Sequence, residues 1–106
     1  MALVITEGAA RQILQSAQQS GQSGSDLRIA AKRRADGSVE YAMGFDDKQT
    51  EDVQVEWHGV SVIVGPTSTE LLSGATLDYV ELEAGKHEFI FMNPNDPHYV
   101  PPDLEG

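Results

Sequence analysis

At 106 residues the chain has room for one compact domain and none for a second. Hydrophobic residues make up 40% of it, enough for a core, which excludes a wholly disordered chain. The net charge of -10 repels phosphate backbones and anionic lipid headgroups, so it argues against nucleic acid and membrane as partners. In chain order, Leu3-Val4-Ile5 is a short apolar opening with no basic start, too short for a signal peptide's apolar core. No later run approaches the roughly 20 apolar residues of a membrane span, and the expected setting is the cytoplasm. Thr6 is placed to N-cap a helix. Ala10, Ile13, Leu14 and Ala17 then recur as one apolar stripe, with Arg11 and the glutamines on the other face. The helix should end near Ser20, before the loop composition of residues 21–25.

From Leu27 the period changes to alternation. Leu27, Ile29 and Ala31 oppose Arg28, Ala30 and Lys32; Asp36-Gly37 is a turn signal; Val39, Tyr41, Met43 and Phe45 oppose Glu40, Ala42, Gly44 and Asp46. A hairpin follows from this pattern, with Tyr41 and Phe45 on its core side. Residues 46–52 read as a solvated loop. Val53, Val55 and Trp57 mark another strand with Trp57 in the core or half-buried, and the β-branched run Val60–Val64 reads as a central strand covered on both faces. After Gly65-Pro66, Thr67 and Glu70 fit a capping box opening a short helix that ends at Gly74. Residues 76–81 and 88–92 read as two strands joined by residues 83–87. Prolines 97, 101 and 102 exclude regular structure beyond Asn93-Pro94-Asn95. The expected organisation is a domain over 1–96 with a flexible, Pro-rich tail over 97–106.

Cysteine is absent, which removes disulfides, thiolate nucleophiles, Cys-type zinc sites and cysteine-ligated clusters. No nucleophile elbow, phosphate loop or dinucleotide fingerprint is present, and the many acids give carboxylate pairs by abundance alone, so the chain is read as a non-enzyme.

Taken in order, Leu27-Arg28-Ile29, Tyr41-Ala42-Met43-Gly44-Phe45 and Gly59-Val60-Ser61-Val62-Ile63-Val64 resemble the A-type iron-sulfur carrier family, the HesB-like proteins that include IscA and SufA. The most specific segments are Gly74-Ala75-Thr76-Leu77-Asp78-Tyr79 and Phe89-Ile90-Phe91-Met92-Asn93-Pro94-Asn95. The resemblance implies an α+β fold, a small HesB-like sandwich of mostly antiparallel strands with one N-terminal and one short helix. It also implies three cysteine ligands, one in the first hairpin turn and a Cys-x-Cys pair in the tail. Counted without gaps, the first falls on Asp36 and the pair near Val100 and Pro102, and none of the three is cysteine. The chain resembles the cysteine-free DsrR-type members, which are encoded among dissimilatory sulfur-oxidation genes.

Two clusters compete with plainer readings. Asp36 with Asp96, His98 and Asp103 offers oxygen and nitrogen ligands to iron or zinc. However, Asp36 suits an ordinary turn before Gly37, and His98 lacks a second His at metal-motif spacing, so no metal and no cofactor is expected. Lys32-Arg33-Arg34 offers a grip on an acidic partner or an RNA phosphate, but strand alternation splits the three charges between two faces. His58 and His87 read as surface residues at turn edges.

The combined expectation is a non-enzymatic accessory or regulatory homologue of the carriers, acting through protein contacts in sulfur oxidation or iron-sulfur protein maturation. Its partner surface would be Lys32, Arg33, Arg34, Asp36, Asn93 and Asn95. With no cluster to share and a charge of -10 on each chain, a monomer is expected. The alternatives are an iron carrier using Asp36 and His98, and an RNA-contacting regulator using Lys32 to Arg34.

Overall fold

The computed structural model describes residues 3–96. Thr6 caps the helix α1 (Glu7–Gln19) as its position predicts, its hydroxyl accepting from the Ala9 amide at 3.2 Å. That bond satisfies one of the amides that a helix start leaves unpaired. The same hydroxyl donates to Asp78 Oδ1 at 2.7 Å, which ties the start of α1 to a strand far along the chain. The helix ends at Ser20, and Ala9, Ala10, Ile13 and Ala17 are buried. Leu14 departs from the expected stripe. It lies at the stripe's edge and is 43% exposed.

The strands are β1 (Val4–Ile5), β2 (Asp26–Arg33), β3 (Val39–Asp46), β4 (Val53–Trp57), β5 (Val60–Val64), β6 (Thr76–Glu83) and β7 (Lys86–Met92), with the short helix α2 (Thr69–Leu72) between β5 and β6. They form a three-stranded sheet in the order β1-β6-β7 and a four-stranded sheet in the order β3-β2-β5-β4. Three pairings are antiparallel, and β1–β6 and β2–β5 are parallel. The α+β sandwich expected from the sequence is therefore the fold observed. The β2–β3 hairpin pairs Arg33 with Val39 across the Asp36-Gly37 turn. β5 lies between two neighbours, and Val60, Val62, Ile63 and Val64 are buried, as a β-branched central strand should be.

One core fills the space between the sheets and α1: Leu3, Ile5, Ile13, Leu27, Ile29, the β5 valines, Leu72 and Leu77. Tyr41, Phe45, Trp57, Tyr79, Phe89 and Phe91 pack around it, partly buried. Trp57 also donates its indole N–H to the Leu3 carbonyl at 2.9 Å, so its polar edge is satisfied as its apolar body packs.

Three local expectations change. The capping box does not form: the N-cap of α2 is Ser68, and no side chain caps the helix. The buried Ser68 hydroxyl instead accepts from the Ala31 amide at 3.1 Å and donates to its carbonyl at 3.3 Å. β5 pairs with β2 only at Leu27 and Arg28, so the Ala31 backbone lies beyond that ladder and needs another partner. The opening apolar residues become β1, parallel to β6. Finally, β6 and β7 run on to Glu83 and Lys86 through a two-residue turn, with Gly85 at φ 79°. An irregularity between Glu81 and Glu83 absorbs the extra residue Leu82.

Candidate functional site

At one end of the sandwich the β2–β3 turn meets the turn that follows β7. The Asp36 carboxylate accepts from the Ser38 amide at 2.9 Å and from the Ser38 hydroxyl at 2.6 Å. This closes a side-chain-to-backbone turn of the kind Asp favours, and Gly37 supplies its positive φ of 90°. Arg33 spans the two turns, donating from Nη1 to the Gly37 carbonyl at 2.6 Å and from Nη2 to the Asn95 carbonyl at 3.4 Å. Arg34 Nε lies 3.7 Å from Glu40, an exposed pair of little energetic weight. Lys32 stands opposite Glu40 in the β2–β3 register, on the face of the sheet away from Arg33.

The second turn is built on Asn93, which is fully buried. Its amide donates to the Leu71 carbonyl at 2.7 Å and to the Tyr41 hydroxyl at 3.1 Å, while its own carbonyl accepts from the Asn95 amide at 3.0 Å. Asn95 donates to the carbonyls of Leu71 at 3.1 Å and Ser73 at 2.8 Å. Tyr41 in turn stacks flat on Phe91 at 4.1 Å, and burial pushes its hydroxyl above the ordinary tyrosine range. β3, α2 and the end of β7 are thus locked together by one side chain.

The structure brings Arg33, the Asp36-Gly37 turn and Asn95 onto one surface. Lys32 lies on the other face. Asn93 acts from inside as a brace, because no atom of a fully buried amide reaches a partner. Among the described residues no three His, Asp or Glu side chains gather as a metal site. His98 and Asp103, with the expected tail 97–106, lie outside the described residues. His58 and His87 are exposed; His87 stacks on Tyr79 at 5.5 Å.

Sequence reasoning missed a second cluster at the opposite end of β2. Arg28 donates from Nε to Asp46 Oδ2 at 2.7 Å and through both terminal nitrogens to Asp52, at 2.9 and 2.6 Å. Asp52 also accepts from the Gln49 amide at 2.7 Å, and its side chain is only 4% exposed. The bonds from Arg28 and then the Gln49 amide hold the Asp52 carboxyl down to about 2, and Arg28 with the Asp47 amide lowers that of Asp46. The guanidinium is correspondingly held more firmly charged. The stretch read as a solvated loop is therefore clamped at both ends. The available signal was a lone arginine beside small residues on an outward strand face, followed by a loop beginning and ending in aspartate.

The family model described as iron-sulphur cluster biosynthesis matches residues 1–96. The chain is 35% identical over 95 residues to the iron-sulfur cluster insertion protein ErpA of Alkalilimnicola ehrlichii, covering 89% of this chain and 77% of that protein. It is 34% identical over 91 residues to ErpA 2 of Methylococcus capsulatus, covering 85% and 69%. Among solved structures, Escherichia coli SufA superposes with a TM-score of 0.73 at 21% identity, covering 97% of this chain and 90% of that one. IscA with a [2Fe-2S] cluster superposes with a TM-score of 0.69 at 26% identity, covering 87% and 85%.

Proposed function

Because the chain belongs to the iron-sulphur cluster biosynthesis family yet holds no cysteine, we propose that it is a non-enzymatic accessory or regulatory protein acting through protein contacts. Its setting would be iron-sulfur protein maturation or sulfur oxidation. A cluster needs thiolate ligands, and this donor set does not fit one. At the position that the resemblance assigns to the first cysteine, the Asp36 carboxylate is turned onto Ser38 of its own turn.

The observation that carries the reading is the Arg33 bridge. A chain that has lost its ligands still spends an arginine and a buried asparagine on holding two turns side by side at that end of the fold. The result is a shaped surface with a cationic rim of Arg33 and Arg34. Charge at such a rim steers encounter and selects partners more than it adds affinity.

Two experiments test the proposal. Supplied with ferrous iron and sulfide under reducing conditions, the purified protein should retain no visible absorption band through gel filtration; a stoichiometric band would overturn the loss of cargo. Reversing Arg33 and Arg34 to Glu should weaken partner capture from extract of the native host while the melting temperature shifts by only a few degrees. Undiminished capture would remove this face from the reading.

A further inference from the structure

β3 is an edge strand, and the phase of its pairing with β2 fixes which of its backbone groups face outward. The Arg34 amide donates to the Ser38 carbonyl at 2.7 Å, and hydrogen-bonded pairs recur at every second position of an antiparallel ladder. Glu40, Ala42 and Gly44 therefore bond to β2. Ala31, opposite Tyr41, fixes the same phase, because its amide and carbonyl turn away from β3 to the Ser68 hydroxyl. Tyr41, Met43 and Phe45 consequently hold their N–H and C=O groups at the free edge, where no strand or turn among the described residues pairs with them. Sheet edges are ordinarily blunted by shortness, lysine, proline or a bulge. β1 has two residues and β4 five, and β7 opens on Lys86-His87-Glu88 beside the irregularity between Glu81 and Glu83. β3 runs eight residues in unbroken register without Lys, Arg or Pro, and its middle, Ala42-Met43-Gly44, is exposed.

We propose that the β3 edge is a docking site for an extended segment of a partner protein, which joins the four-stranded sheet as a further strand beside β3. In this mode main-chain bonds give affinity and pockets for alternate side chains give specificity. A cavity of about 160 Å³ opens between β3 and β7, lined chiefly by Met43, Gly44, Phe45, Ile13, Leu27 and Phe89. An apolar cavity of about 150 Å³ admits benzene, so this one takes one Leu, Ile or Phe side chain. Met43 marks the place. It shares the core-facing side of β3 with Tyr41 and Phe45 and stands opposite the fully buried Ile29, yet it is 38% exposed. The inward side chains of an added strand point into that gap. Both ends of β3 are pinned, by Asp46 on Arg28 and by the Asp36-Gly37 turn on Arg33, so the edge keeps its shape before a partner arrives.

The occupant's inward side chains must be free to fill the cavity. In a second copy of this chain they are not, because Tyr41 is stacked on Phe91 and Phe45 is packed on its own core. Two such edges, each about 26 Å long and about 10 Å thick, would also bury only about 500 Å² in total, well below the roughly 1,200 Å² of a stable interface. Symmetric pairing about Met43 would set Glu40 of each copy against Asp46 of the other, on top of a charge of -10 for each molecule. Residues 97–106 carry prolines 97, 101 and 102, which interrupt the run of amides that a ladder needs. An extended segment with a large apolar side chain at the cavity and basic residues at outward positions meets the backbone, the cavity and the net charge together. The proposal uses backbone groups of β3 and is independent of the role given to Arg33.

The test titrates an extended Val/Lys-alternating peptide with a central Leu into the isotope-labelled full-length protein, followed by amide hydrogen exchange. Without peptide, the Tyr41, Met43 and Phe45 amides should exchange freely while those of Ala42 and Gly44 are protected. At about ten times its dissociation constant, the peptide should slow exchange at Tyr41, Met43 and Phe45 about ten-fold. N-methylating the peptide amides of one alternate set should abolish binding, and N-methylating the other set should leave it intact, because only one set can face β3. Met43→Pro removes an edge amide without touching the β2 ladder and should weaken binding about ten-fold. The pair of N-methylated peptides keeps the test valid if that variant fails to fold. Equal binding of the two N-methylated forms would overturn the proposal, since main-chain pairing would then contribute nothing. So would protection of the Met43 amide without peptide: together with a dimer in sedimentation it assigns the edge to a second copy, and in a monomer it assigns the edge to another part of this chain.

Discussion

Arg28 and Arg33 lie five positions apart on one strand, and the two ends of β2 that they occupy are held together in opposite ways. An odd spacing on a strand puts the two side chains on opposite faces. Arg28 meets two carboxylates, one of them almost fully buried, and its charge is consumed in fixing the β3–β4 loop. Arg33 is exposed, and among the described residues its hydrogen bonds go to backbone carbonyls, which fix its geometry without a carboxylate clamp. The strength at the Arg33 end comes from a neutral group, the Asn93 amide. One arginine is therefore architectural and the other is presented to the surroundings, although nothing in their residue type distinguishes them.

This contrast breaks first at Asn93. Asn93→Ala deletes both donations and the acceptor, and leaves the Tyr41 hydroxyl and the Asn95 amide without their partner. At about 1–3 kcal/mol for each orphaned buried group, the loss should total about 3 kcal/mol. For a domain of this size the melting temperature should fall by about 10 °C or more, read by calorimetry. A shift under a few degrees would mean that water replaces the amide and that the brace is not what holds the turn.

The next largest effect belongs to the other end, and it carries a pH signature. The Asp52 carboxyl is depressed to about 2 in the fold, against about 3.9 in an unfolded chain. A lowered carboxylate contributes its stability fully above the unfolded value and loses it as pH falls through the folded one. Asp52→Asn should therefore lower the melting temperature by several degrees at pH 7, and its deficit relative to wild type should shrink from pH 4 to pH 2. Asn93→Ala should show no such convergence, because no charge is involved. A pH-independent deficit for Asp52→Asn would break the comparison by making the clamp a matter of packing alone.

Smallest is Arg33→Ala. An exposed side chain bonded to two carbonyls contributes about 0.5 kcal/mol, so the melting temperature should move by no more than a few degrees. A loss comparable to that of Asn93→Ala would turn Arg33 into a second structural clamp and weaken its assignment to partner recognition.

Much of the framework is legible along the chain because it is written in short-range patterns. The Thr6 cap, the Ala10-Ile13-Ala17 stripe, the Asp36-Gly37 hairpin and the β-branched run at Val60–Val64 each depend on neighbours within a few residues, and each appears where its pattern puts it. Thr67 fails for the opposite reason. Its capping box is a local option, but Ser68 enters the fold to satisfy Ala31, a partner 37 positions away. Residues 46–51 are exposed, as a run of polar residues implies, but the clamp was not legible, because only the return of β4 beside β5 brings Asp52 to Arg28. At the candidate site the turn chemistry of Asp36 was readable. The burial of Asn93 was not, since it depends on α2 and β3 arriving together.

What the sequence determines by itself is every element but the short β1, the family, and the absence of every thiolate, because composition and local periodicity need no partner to be read. The tertiary structure alone decides which of two arginines on a strand is spent on the fold and which asparagine is a brace. Those outcomes rest on desolvation and on donor and acceptor distances of about 3 Å between residues tens of positions apart. No spacing along the chain encodes them.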